Sequence, residues 1–263
     1  MEVPRWLAPV GYVGLAAVDT ALAASISPSR RRFRLVTKPL LMPALGTAFV
    51  GSLARYDVGG GGLLAGGTVA AQALSGVGDI ALLGRNEPAF LAGLGSFFGA
   101  HVAYTTAFAS AGRPLGDRSA LGGVVGAAGL FAALAPVMAN GAGRRSARLR
   151  KPVVAYAGIL STMFAASTRL DPELPVGARR TVVAGTALFL ASDTIHAARL
   201  FLLPQPTHPA GDAAVMATYT LGQGLIAAGV AQALRSRATN GSVARGGEVG
   251  PSFPSTAPPA VPL

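Results

Sequence analysis

The sequence predicts an all-α fold, a polytopic membrane bundle of about eight transmembrane helices. Three features point there. Of the 263 residues, 51% are hydrophobic and only 13% charged. The mean hydropathy is +0.49. Apolar runs near the ~20 residues that cross a bilayer recur along the chain. A soluble domain of this size cannot bury so much apolar side chain. The 35 glycines, which weaken helices in water, let helix backbones approach closely in lipid.

The candidate spans are Trp6–Ala24, Thr37–Leu53, Leu63–Leu83, Pro88–Ala111, Ser119–Asn140, Pro152–Ser167, Arg179–Leu200 and Asp212–Leu234. The second and sixth are short. The first carries Ala21-Leu22-Ala23, which resembles a signal cleavage site, but its apolar stretch is long and Glu2 cancels Arg5, so it is taken as a span. The glycines at Gly59–Gly62 are taken as a flexible turn rather than a phosphate cradle. Residues 1–234 therefore form one membrane domain. Residues 235–263, rich in Gly, Ser, Thr and Pro, have little to bury and are expected to be a disordered tail.

The net charge of +11 resides in short linkers, not on a basic face with interleaved aromatics, so no nucleic-acid partner is expected. Arg30, Arg31, Arg32, Arg34 and Lys38 fill the first linker; Arg144, Arg145, Arg148, Arg150 and Lys151 fill the fifth. Eight spans put both linkers on one side, which the positive-inside rule makes cytoplasmic, with both termini opposite. The other side is mixed, with Arg55 beside Asp57 and Arg113 and Arg118 around Asp117. A multi-pass protein of a bacterial plasma membrane is expected. The chain has no cysteine, which excludes disulfides and thiolate chemistry.

Ionisable groups inside a span are costly unless they face the bundle interior and find partners, so each is a functional candidate. Asp19, Asp79 and Asp193 lie in the first, third and seventh spans, which run in the same direction. Each sits roughly 6–12 Å before its span's end, so the three share a depth near the cytoplasmic face. Lys38 opens the second span on that side, with Pro39 suited to a first helical turn. His101 and Tyr104 share a face of the fourth span, and Tyr219 and Gln223 a face of the eighth. Each has a purely structural reading as well: hydrogen bonding between helices for the aspartates and His101, snorkelling for Lys38. His196, three residues after Asp193, has a spacing that suits metal binding. A full metal shell, however, would need aspartates from several helices, so neither metal nor other cofactor is expected. Glycine-rich phosphate loops, Gly-x-Ser-x-Gly elbows and His-Glu-x-x-His helices are absent.

Taken together, Lys38-Pro-Leu-Leu-Met-Pro43, Gly78–Asp79, His101 with Tyr104, Ser192–Asp193 and Tyr219 with Gln223 resemble the YhhN family of membrane proteins, to which the lysoplasmalogenases belong. The resemblance runs from about Val18 to Ala228. It implies hydrolysis of the vinyl-ether bond of lysoplasmalogens to a fatty aldehyde and a glycerophospho-head group. It also implies that Asp79 and Asp193 match the two intramembrane acids thought to be catalytic.

The chemistry suits such a pair. A vinyl ether hydrolyses by protonation of its β-carbon, giving an oxocarbenium ion that water captures. Two carboxyls facing each other in a low-dielectric pocket repel if both ionise, so one keeps a proton. Asp79 is assigned as the acid and Asp193 as the carboxylate that stabilises the cation and activates water. Lys38 is placed to hold the phosphate of a lysophospholipid partner, with Asp19, His101, Tyr104, Tyr219 and Gln223 completing a polar pocket. The alternative is a non-catalytic membrane protein, such as a small-molecule or lipid transporter, whose aspartates bind protons or cations. A structural scaffold would not need aspartates at matched depth.

Overall fold

The computed structural model describes residues 6–54, 56, 62–84, 86–114, 116–204 and 208–247. Most of the Gly59–Gly62 turn, the Arg55 and Asp57 pair, and Glu2 and Arg5 lie outside these residues. The described chain is helical, with a single isolated bridge between Gly112 and Leu170. In order the helices are α1 (Leu7–Ala23), α2 (Pro28–Arg32), α3 (Arg34–Leu53), α4 (Gly62–Ala81), α5 (Glu87–Ser110), α6 (Leu121–Arg145), α7 (Arg150–Thr168), α8 (Val176–Phe201) and α9 (Pro209–Gly247). Short 3-10 turns at Arg118–Ala120 and Ala147–Leu149 lead into α6 and α7.

Apart from α2, the helices follow the eight expected spans. Their outward faces are greasy: Val10, Val13, Leu40, Val50, Val77 and Val125 are exposed on the bundle surface, as lipid-facing residues must be. Four helical stretches, Pro28–Leu53, Arg118–Arg145, Val176–Phe201 and Pro209–Asn240, are long and apolar enough by themselves to cross a bilayer, and Leu7–Ala23 is a shorter apolar helix. In α4, α5 and α7 the interior polar residues, among them Gln72, Asp79, His101 and Tyr156, dilute the apolar character.

Two expectations are corrected here. The helix holding Lys38 begins at Arg34, so Pro39 lies beyond the first turn and, with Pro43, inside α3. A proline there leaves a carbonyl one turn back without its helical donor. The early start lets both Arg34 and Thr37 reach Asp19 of α1. The second correction concerns the tail, since α9 does not stop at Leu234 but continues to Gly247. Extending an existing helix through Arg235, Arg237 and Ala238 costs far less than nucleating one, so the helix runs on without an apolar partner. Residues 248–263 lie outside the described part.

Except for α5 and α6, the long helices sequential in the chain pack as antiparallel neighbours, most extensively α8 on α9 and α4 on α5. Small residues set the first of these contacts. A Cβ on Gly185 would lie 2.7 Å from the Gly222 carbonyl oxygen, and one on Gly229 2.8 Å from the Ala178 carbonyl oxygen. Helix α6, by contrast, is peripheral, and its glycines Gly122, Gly126 and Gly129 meet nothing.

Both basic linkers lie at one end of the bundle. Arg31 pairs with Asp212 at the start of α9, 2.6 Å away. Leu149 and Val153 at the start of α7 cluster with Met138, Phe90 and Phe201 from α6, α5 and α8. At the other end, the α5–α6 and α7–α8 loops are tied by backbone hydrogen bonds from Arg113 N–H to Arg169 O (2.8 Å) and from Asp171 N–H to Ala111 O (3.0 Å). The half-buried Asp117 there accepts from the Ser119 hydroxyl and N–H, with Arg113 beside it, which holds its carboxyl below the usual range.

Gly185→Val should break the α8–α9 approach and destabilise the protein by about 1–3 kcal/mol, as overpacking does. Gly126→Ala on the open face of α6 should be silent. Thermal unfolding in detergent measures both, and equal losses would contradict this packing.

Candidate active site

Asp79, in the last turn of α4, is buried, with 2% of its side chain exposed. Its Oδ1 lies 3.4 Å from Lys38 Nζ of α3, and its Oδ2 accepts from the Tyr219 hydroxyl of α9 at 2.7 Å. A buried carboxylate needs such partners, because desolvation would otherwise cost it several kcal/mol. Asp193 of α8 is served by a second set. The Tyr156 hydroxyl of α7 donates to its Oδ2, and His101 Nε2 of α5 lies 3.5 Å from the same oxygen.

The hydroxyl proton of Tyr156 is given to Asp193, so its oxygen accepts from His101 at 3.0 Å. That assigns a proton to Nε2 and leaves Nδ1 buried without a protein partner. Between the two acids runs an arc of edge-to-face rings. Tyr219 meets Phe189 with centroids 5.4 Å apart, Phe189 meets His101 at 4.8 Å, and His101 meets Tyr156 at 5.3 Å. Such contacts fix ring orientation and hence where each donor points.

Asp79 and Asp193 line one cavity together with Lys38, Tyr156, Tyr219 and His196. The cavity offers about 130 Å³ to water-sized molecules, room for on the order of ten of them. Its remaining walls are mostly apolar, from Leu82 and Phe97 through Leu134 to Leu200. The chain thus brings two carboxyls, far apart in sequence, to one pocket. They do not share a hydrogen bond; each has its own donors.

The other candidates are distributed differently. His101 stands behind Asp193 rather than on the cavity wall. Tyr104 donates to Gln223 Oε1 at 2.5 Å, and Gln223 Nε2 donates to Ser75 at 3.0 Å, deeper between α4, α5 and α9. Asp19 does not reach the cavity. It is fully buried, accepts from Thr37 at 2.6 Å and pairs with Arg34 at 3.2 Å, fastening α1 to α3. Among the described residues there is no group of three or more His, Asp or Glu side chains that could hold a metal ion. His196 Nε2 is buried without a partner.

Sequence reasoning missed Tyr156. The signal was a hydroxyl-bearing ring amid small and branched residues in the sixth span, Val153-Val-Ala-Tyr156-Ala-Gly. It also missed Arg34 as the counter-ion of Asp19.

The YhhN family pattern matches residues 33–230, a stretch that holds Lys38, Asp79, Tyr156, Asp193 and Tyr219. The chain belongs to the YhhN family. Neither the curated proteins nor the solved structures yield a match. For this YhhN chain the matched stretch covers α3 to most of α9 and excludes α1, so Asp19 lies outside it while both cavity acids lie within.

Asp19→Ala leaves the half-buried Arg34 guanidinium without its anion and should lower stability by up to about 3 kcal/mol, read as thermal unfolding in detergent. Because Asp19 is away from the cavity, the affinity of the cavity for any ligand should be unchanged. A weakened affinity at unchanged stability would return Asp19 to the site.

Proposed function

We propose that this YhhN-family chain is a membrane-embedded hydrolase of the lysoplasmalogenase type, cleaving the vinyl-ether bond of 1-alkenyl lysophospholipids. One observation supports this above the rest: two carboxyls and one ammonium group line a single, mostly apolar cavity at the basic end of the bundle. A lipid with one charged head group and one chain matches that division.

In the proposed reaction a proton is added to the β-carbon of the vinyl ether, leaving a positive charge shared between the α-carbon and the ether oxygen. Water adds to the α-carbon and loses a proton. The hemiacetal then collapses to a fatty aldehyde, and the glycerol oxygen departs as a hydroxyl. One water is consumed, and a proton donor, an anion and a base are needed.

The hydrogen bonding favours an order of roles opposite to the one assigned from sequence. Both oxygens of Asp79 face donors, Lys38 on Oδ1 and Tyr219 on Oδ2, which suits a standing carboxylate. The donors of Asp193 gather on Oδ2, so Oδ1, which has no donor among the described residues, is the oxygen open to exchange a proton with substrate. Asp193 is then the acid, and Asp79 stabilises the cation and accepts the proton of water. A lipid phosphate competes with Asp79 for Lys38, so substrate binding itself loosens the carboxylate.

Purified protein incubated with a 1-alkenyl lysophospholipid should release aldehyde, and the 1-acyl analogue should not be cleaved. Asp79→Asn and Asp193→Asn should each reduce release about 100-fold or more while remaining folded in detergent. Lys38→Ala should raise KM more than it lowers kcat. Full activity in either aspartate variant would refute the pair, and unchanged KM would remove Lys38 from head-group binding.

A further inference from the structure

Away from its charged rim the cavity continues as an apolar slot. Helix α5 contributes Phe90 and Leu94, α6 contributes Leu130, Phe131 and Leu134, and Ala157 of α7 lies between them. These two outer walls belong to helices that do not support each other: α5 packs on α4 and α7, α6 packs on α7 and α8, and α5 and α6 do not pack together along their lengths.

The lining is itself accessible from outside. Leu130 is 40% exposed, and Leu94, Phe131 and Leu134 are half-buried. The slot therefore opens where α6 faces lipid. Toward the basic end it is closed, because Phe90 meets Phe201 edge-to-face with centroids 6.0 Å apart, within the cluster of Met138, Leu149 and Val153.

We propose that the slot holds the hydrocarbon chain of the lipid, and that the chain reaches it sideways from the bilayer between α5 and α6. The identity of the ligand's polar end rests on the hydrolase proposal above; the slot and its opening rest on the packing. Continuity with the Lys38, Asp79 and Asp193 rim identifies the occupant, since a chain lying in the slot sets its head group against those residues. From Met138 to Leu130 the slot runs about 12 Å along α6, so the end of a longer chain extends into the bilayer. Bulk beyond that length should therefore be tolerated, whereas bulk in the slot should not.

The test reads binding without turnover. The single tryptophan, Trp6, is removed as Trp6→Phe, and a new one is introduced at Leu134→Trp or, closer in volume, Phe131→Trp. Val137→Trp, on the lipid-facing side of α6 and 48% exposed in the parent, is the control. The probe is a 1-acyl lysophosphatidylcholine with a dibrominated chain, whose bromines quench indole fluorescence at contact. Quenching at 134 and 131 should saturate and be displaced by the unbrominated lipid, while quenching at 137 should rise without saturating. Adding Ala157→Phe should weaken the saturable component at least tenfold. If neither 134 nor 131 shows a saturable component, or if 137 matches them, the slot is refuted. Saturable, displaceable quenching in a protein that releases no aldehyde would support the slot and count only against the hydrolase proposal.

Discussion

Within an apolar bundle a charge is tolerable only if it brings its partner with it, and this constraint organises the structure. Asp19 is fastened to Arg34 and Thr37, Asp79 to Lys38 and Tyr219, Asp193 to Tyr156 and His101, and Asp212 to Arg31 and Arg199. Some of these ties join consecutive helices, as Arg34, Lys38, Tyr156 and Arg199 do, while those from Tyr219 to Asp79, His101 to Asp193 and Arg31 to Asp212 link helices distant in sequence. They therefore act as registration marks as much as stabilising contacts. The candidate site is the place where two of the four sets open onto shared space.

Much of the bundle is legible in the sequence, because lipid demands long apolar segments and punishes exceptions. Segment positions, the shared end of the two basic linkers, and the common depth of Asp79 and Asp193 all follow from that demand. Partner identity is harder to infer. Tyr156 looks like one more aromatic in an apolar span, and only the crossing of α7 past α5 and α8 brings it to Asp193. Asp19 illustrates the converse. At the depth of the other two aspartates it resembles a site residue, yet the early start of α3 turns it into a clasp. The end of α9 is illegible for a different reason, since once a helix leaves the apolar layer its length depends on propagation, not on burial.

Glycine placement divides the bundle mechanically. Along α8 and α9, Gly185, Gly222 and Gly229 bring backbones close enough that any side chain would collide. Along α6, Gly122, Gly126 and Gly129 meet nothing, while Gly123 and Gly141 press close against Thr168 of α7 and Phe201 of α8. The first pair of helices is a fixed wall carrying Asp193 and Tyr219, whereas α6 is a lightly held panel leaning on α7 and α8. Asp193 and Tyr219 stand on this wall, Asp79 and Lys38 on α4 and α3, and the panel contributes to the cavity only Leu130, Phe131, Leu134 and Met138.

The loops at the end opposite the basic linkers give that panel a pivot. Backbone hydrogen bonds join the α5–α6 loop to the α7–α8 loop, and the Arg169 guanidinium adds another to the Pro114 carbonyl. Spreading of α6 away from α5 about this latched end is opposed at the other, where Met138 and Ala142 pack with Phe90 and Phe201. Any parting therefore belongs to the middle of the span, along the slot, and the hinge stays out of the chemistry.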